Sequence, residues 1–185
     1  RVLHHYSPDF IWPKSSYSIE MENQTWVDKL SKNDSSTLRS LEELSGVNIH
    51  LSQDEEEGPQ RKKILKLAGG FGLYKQAMKD AIEIALPTGN LSYKNIEKNY
   101  HDQRKILEQE AARLGKKAVT QLKLEGIHPE IQKLIGALNW RTSYRQNQWY
   151  HTVEVATLAG LLASELGVDP EAAKRVGLLH DIGKA

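Results

Sequence analysis

Apolar and polar residues alternate through Tyr17-Ser18-Ile19-Glu20-Met21, the period of a half-buried strand. Trp26-Val27-Asp28-Lys29-Leu30 follows as a short helical pattern. Leu38, Leu41 and Leu44 then mark a helix capped by Ser35 or Ser36 and stopped at Gly46. Val47-Asn48-Ile49-His50-Leu51 alternates strictly and predicts a second strand. Ile64-Leu65-Lys66-Leu67 predicts a third, joined to the second as a hairpin across the acidic loop between Gln53 and Gly58. Gly69-Gly70 breaks the chain before a helix carrying Leu73, Ala77, Ala81, Ile84 and Ala85. The resulting order, β-α-α-β-β-α, is that of a small α+β domain. Pro87-Thr88-Gly89-Asn90 closes it. Beyond that turn Ile96, Tyr100, Leu107, Ala111, Leu114, Ala118 and Leu122 recur at helical spacing and predict one long amphipathic helix. From Gly126 onward there are three helical patterns and no strand signal. The first follows His128-Pro129-Glu130, the second runs from about Asn147 to Leu166, and the third starts at Asp169-Pro170-Glu171. Residues 1–16, with Pro8 and Pro13, read as an irregular leader.

Charge and composition narrow the function classes. Among 185 residues, 25 Lys+Arg stand against 24 Asp+Glu, a formal net charge of +1, so the chain is no general polycation for nucleic acid. No apolar run approaches the ~20 residues of a membrane-spanning helix, and the first residues lack the apolar core of a signal peptide. Cysteine is absent, so disulfides and thiolate metal sites are excluded together; any metal must be held by His and carboxylate. The chain does not begin with Met and reads as a piece of a longer protein.

Two histidines carry the candidate chemistry. His151 shares a helical face with Val155, Leu158 and Leu162, and His180 continues the stripe of Ala173, Val176 and Gly177. A polar ring on a buried stripe needs a partner, because an unsatisfied buried polar group costs about 1–3 kcal/mol. Asp181 follows His180, so an imidazole and a carboxylate project about 100° apart from one turn. That ligand set suits Mn²⁺, Mg²⁺, Fe or Zn²⁺ and disfavours Cu(I). A lone core histidine is more often satisfied by a nearby carbonyl. What raises this pair above that reading is the string Gly177-Leu178-Leu179-His180-Asp181-Ile182-Gly183-Lys184 together with the upstream histidine.

His151-Thr152-Val153-Glu154-Val155-Ala156 followed by that string resembles the HD phosphohydrolase signature. More narrowly, Gly126-Ile127-His128-Pro129-Glu130, then Arg141-Thr142-Ser143-Tyr144 and Gln146-Asn147, resembles the entry into the HD domain of the bacterial endoribonuclease Y family, which places a KH domain ahead of its HD domain. The resemblance implies His151, His180 and Asp181 as metal ligands around Mn²⁺ or Mg²⁺, with Fe or Zn²⁺ also compatible. It implies a catalytic role for Asp181, and for Lys184 as a contact to substrate phosphate. The closing Asp of the signature has no counterpart before Ala185, so the stretch is expected to be inactive by itself. The implied architecture is a leader at 1–16, an α+β KH-like domain at 17–90, a helical connector at 91–125 and the N-terminal half of an all-α HD domain at 126–185.

The KH pattern departs where RNA would be gripped. The Gly-x-x-Gly loop that lets a phosphate backbone approach is replaced by Lys32-Asn33-Asp34-Ser35. Lys29, Lys32 and Arg39 are left as candidate RNA contacts, against the alternative of ordinary surface charge. For the intact protein the resemblance implies metal-dependent endonucleolytic cleavage of single-stranded RNA in mRNA decay. It also implies weak RNA binding through the altered loop and a location at the cytoplasmic face of the cell membrane, through an anchor not contained in these residues. The chain is expected to form a homo-oligomer through Leu158, Leu162, Val176 and Leu179. The alternatives are an HD phosphohydrolase acting on nucleotides or cyclic dinucleotides, and a non-catalytic KH–HD scaffold.

Overall fold

The computed structural model describes residues 17–21, 36–53 and 63–185. The expected leader, the short helix at Trp26, the Lys32–Ser35 loop and the acidic loop lie outside these residues. Strand β1 (Ser18–Met21), helix α1 (Ser36–Ser45), strands β2 (Asn48–Gln53) and β3 (Lys63–Ala68) and helix α2 (Gly72–Ala85) follow in that order. The three strands form an antiparallel sheet in the order β1-β3-β2, with Ile19 opposite Leu65 and Leu51 opposite the same residue on the other side. The alternation read from the sequence is what selects the buried face. Ile19, Met21, Ile49, Leu65 and Leu67 point into a core closed by Leu41, Val47, Ala77, Met78, Ala81 and Ile82. Ile84, expected inside, is 46% exposed, and Ile82 takes the inward place. The small side chains of Ala77, Ala81 and Ala85 draw that face of α2 onto the sheet, which turns Ile84 outward.

Beyond the turn at Pro87–Asn90, Leu91, Ile96 and Tyr100 are buried in this same core. Helix α3 (Tyr93–Leu122) is a single 30-residue helix, and the two compact units of the chain change over within it, between Leu107 and Glu108.

The second unit holds the rest of α3, then α4 (Pro129–Ala137), a 3-10 turn at Leu138–Trp140, strands β4 (Thr142–Ser143) and β5 (Gln146–Asn147), α5 (Gln148–Glu165), α6 (Pro170–Leu179) and a 3-10 turn at Ile182–Lys184. Its core comprises Leu114, Ala118, Leu122, Ile127, Ile135, Leu138, Trp149, Ala156 and Leu178. The β4–β5 hairpin corrects the strand-free reading of this region. Its two-residue turn, Tyr144-Arg145, has φ of 49° and 65°. The left-handed conformation costs about 1–2 kcal/mol per non-glycine residue, and the usual sequence for such a turn is Asn-Gly or Asp-Gly. Without that signature the hairpin was invisible in the sequence. Among the described residues, no helix is long and apolar enough to cross a membrane.

Candidate metal centre

Helix α5 is set by its N-cap. Asn147 accepts from the backbone N–H of Trp149 (2.9 Å) and Tyr150 (3.3 Å), while its own amide donates to the Asn139 carbonyl at 2.8 Å. Trp149, 3% exposed, donates its indole N–H to the Leu114 carbonyl at 3.2 Å. These contacts fix the first turn of α5, where His151 lies. Helix α6 starts at the expected place: Asp169 accepts from the N–H of Glu171 (2.8 Å) and Ala172 (3.2 Å), with Pro170 in the first turn.

The faces of these helices differ from the expected ones. Leu158 and Leu162 are 53% and 64% exposed and Val176 is 70% exposed, so the two histidines do not lie on buried leucine stripes. The packed face of α5 is instead Trp149, Thr152, Ala156, Gly160 and Ala163. Small residues let α6 approach closely, and the leucines turn away. The tightest point is Gly177. A β-carbon there would lie 2.8 Å from the Ala156 Cα, a backbone atom. That approach brings His151, five residues before Ala156, beside His180, three residues after Gly177. Their ring centroids are 5.3 Å apart at 69°.

His180 occupies the C-cap of α6 in helical geometry, and Asp181 leaves the helix at φ −114°. Possible ligand atoms of His151, His180 and Asp181 lie within 4.8 Å of one another. Asp181 Oδ2 is their focus: His180 Nε2 is 3.1 Å away, His151 Nε2 3.8 Å and Lys184 Nζ 2.7 Å. The hydrogen bond from Lys184, foremost, holds the Asp181 carboxyl below the ordinary carboxylate range. Partial burial opposes this, and the charges of His180, Lys184 and His151 add to the lowering.

The protonation pattern of His180 is decided by its other nitrogen. Nδ1 is 2.7 Å from the Gly177 carbonyl oxygen, which can only accept, so Nδ1 carries a hydrogen. In the neutral ring Nε2 is therefore bare, and its lone pair sits 3.1 Å from a carboxylate oxygen. Two acceptors at that distance repel unless a cation, either a proton on Nε2 or a metal, lies between them. An anchored Nδ1–H is also what orients an imidazole for a metal. The donor set and its orientation fit a divalent ion.

Of the candidate RNA contacts, Arg39 is exposed on α1, whereas Lys29 and Lys32 lie outside the described residues. Two features were not read from the sequence: the close approach at Gly177, which no side chain announces, and the hairpin at Tyr144-Arg145.

The HD domain family model matches residues 149–185, which span all three converging side chains and Lys184. No solved structure matches the chain. Among curated proteins, the ribonuclease Y of Fervidobacterium nodosum is 34% identical over 184 residues, covering 100% of this chain and 34% of that protein. That of Clostridium kluyveri is 34% identical over 177 residues, 96% of this chain and 33% of its own length, and that of Oleidesulfovibrio alaskensis is 33% identical over 184. The chain thus spans about a third of the length of these relatives. Similarity runs from end to end of the chain, with the HD match falling on the residues that converge in space: over its whole length the chain matches a stretch of the ribonuclease Y family.

Proposed function

We propose that the chain supplies three ligands of a divalent-metal centre in an enzyme that cleaves single-stranded RNA endonucleolytically, in mRNA decay. The single observation that carries this reading is the convergence of His151, His180 and Asp181, whose possible ligand atoms lie within 4.8 Å of one another, with His180 Nδ1 held by the Gly177 carbonyl and Nε2 3.1 Å from Asp181 Oδ2. His151, His180 and Asp181 would hold Mn²⁺ or Mg²⁺, with Fe or Zn²⁺ compatible with the same nitrogen and oxygen donors. Such an ion supplies an activated water and offsets charge on the phosphate oxygens. Gly177 holds the His180 ring in place through its carbonyl. Lys184, whose ammonium lies at the same carboxylate oxygen, would meet a phosphate oxygen entering the site.

The α+β unit is read as a KH-like domain. Its support is the order β1-α1-β2-β3-α2 around an antiparallel sheet. Its RNA grip is weak, because Lys32-Asn33-Asp34-Ser35 offers no glycine backbone to phosphate. The intact protein acts at the cytoplasmic face of the membrane.

The test has two parts. Mn²⁺ titrated calorimetrically into the chain is expected to bind at one site more weakly than about 1 μM (roughly −8 kcal/mol), and to stop binding in His180→Ala and Asp181→Asn. The intact protein is expected to cleave single-stranded RNA with Mn²⁺ or Mg²⁺. Metal binding unchanged in both variants, or a folded intact protein that cleaves no RNA with either ion, would overturn the proposal.

A further inference from the structure

The β4–β5 hairpin ends in an arrangement that its local energetics do not favour. Tyr144 and Arg145 both hold positive φ, a conformation that glycine or asparagine adopts with less strain. Neither side chain is compensated by packing. Tyr144 is 97% exposed and Arg145 is exposed, and among the described residues neither has a hydrogen-bond or ion-pair partner. A strained turn that presents an aromatic ring and a guanidinium to solvent is the form of a contact awaiting a ligand.

Its mounting is firm. Thr142 pairs with Asn147 and Ser143 with Gln146. The Gln148 N–H donates to the Arg141 carbonyl at 2.9 Å, and Asn147 caps α5 while holding Asn139. The tip is therefore fixed to the helix that carries His151. From Asn147 to His151 the helix rises about 6 Å, and the hairpin adds at most ~10 Å of extended chain. The tip is thus within roughly 16 Å of the metal centre, a reach of a few nucleotides. The electrostatics agree. Between Glu130 and Glu154 the sequence has no acidic residue, while Arg141 and Arg145 fall within that stretch; Lys133, also within it, is paired with Glu130 at 2.6 Å and adds nothing.

We propose that the hairpin tip is a single-stranded RNA contact, with Tyr144 stacking on an unpaired base and Arg145 pairing with the adjacent phosphate. It positions the strand for the centre at His151, His180 and Asp181. This rests on the RNA-cleaving reading above and adds a binding element to it. Unpaired bases offer their faces to aromatic side chains, whereas those of a duplex are stacked on each other. The contact therefore discriminates single strands from duplexes.

The test measures binding of a fluorescently labelled RNA oligonucleotide by anisotropy, at low salt and without metal, alongside thermal melting. Tyr144→Ala is expected to weaken single-strand binding about tenfold, to leave duplex binding within twofold, and to leave the melting temperature unchanged. Tyr144→Phe keeps the ring and is expected to bind as the parent does. Arg145→Gly relieves the left-handed strain, so it is expected to melt no lower than the parent. It should nonetheless bind less tightly and reduce the slope of log affinity against log salt by about one. Parent-like binding by both Tyr144→Ala and Arg145→Gly would overturn the hairpin proposal and leave the RNA-cleaving reading standing. A parent chain that binds no single-stranded RNA at all would overturn both.

Discussion

Asp80, a half-buried charge in the α+β unit, sets a pH dependence of its own. Burial raises its pKa above the ordinary carboxylate value; the hydrogen bond from Gln76 (2.7 Å) and the charge of Lys79 oppose that rise. The folded state therefore binds the Asp80 proton more tightly than the unfolded chain does. Asp80 favours folding most below the unfolded pKa, and this contribution is lost as pH rises through the folded pKa. Asp80→Asn keeps an acceptor for Gln76 and removes the charge. It is expected to melt higher than the parent at about pH 7 and at the same temperature near pH 3, as measured by circular dichroism across that range. An Asn variant that melts lower at neutral pH would mean that its charge is favourable in the fold. His180 makes a related point by geometry alone. The sequence marks it as a candidate ligand from its place in the Gly177–Lys184 string. The structure adds the reason its Nε2 is the nitrogen turned to Asp181: the Gly177 carbonyl holds Nδ1. No backbone carbonyl is legible in a string of side chains.

Glycine spacing governs how the helices meet. At the crossing of α3 and α4, a β-carbon on Gly136 would lie 1.7 Å from the Ala111 carbonyl oxygen, and one on Gly115 equally close to that of Gln132. Neither backbone can yield cheaply. Gly136→Ala is expected to destabilise the second unit by about 3 kcal/mol, at the upper end of overpacking costs. Gly177→Ala is expected to cost about 1–3 kcal/mol and to weaken Mn²⁺ binding at least tenfold, because the rings of His151 and His180 are drawn apart. Gly183→Ala meets nothing within 4 Å and serves as the control for both. Denaturant unfolding and metal titration of the three variants would check the order; a Gly177→Ala chain that binds metal as the parent does would contradict it. Element positions were readable in the sequence because each rests on local signals: alternation in β1 and β2, Pro129 and Pro170 in first turns, Asp169 as a cap. The inward faces of α5 and α6 were not. Leu158 and Leu162 outweigh Ala156 and Gly160 on any hydrophobicity scale, yet close helix contact selects the small residues.

At the scale of the molecule, each compact unit has its own apolar core, and the residues of one core do not recur in the other. The second unit also leaves an apolar surface. Leu158, Leu161, Leu162, Leu166, Val168 and Val176 are each more than half exposed, whereas Leu179 is packed against the core. Exposed apolar patches of this kind mark contact surfaces. Sedimentation of the chain is expected to show self-association that strengthens with concentration and is abolished in the double variant Leu158→Glu and Leu162→Glu. A parent chain that is monomeric at all concentrations would remove the surface from consideration as a self-contact.

Gly177 has a consequence for anyone who would move this centre into another scaffold. It sets the distance between two helices through the side chain it lacks, and it aims an imidazole through its carbonyl. Grafting His151, His180 and Asp181 onto a designed helical pair reproduces the donor atoms alone. Unless the host also has a glycine three residues before the second histidine, facing an alanine five residues after the first, the graft will carry the three side chains without their convergence. The transferable unit is a backbone crossing with side chains attached to it.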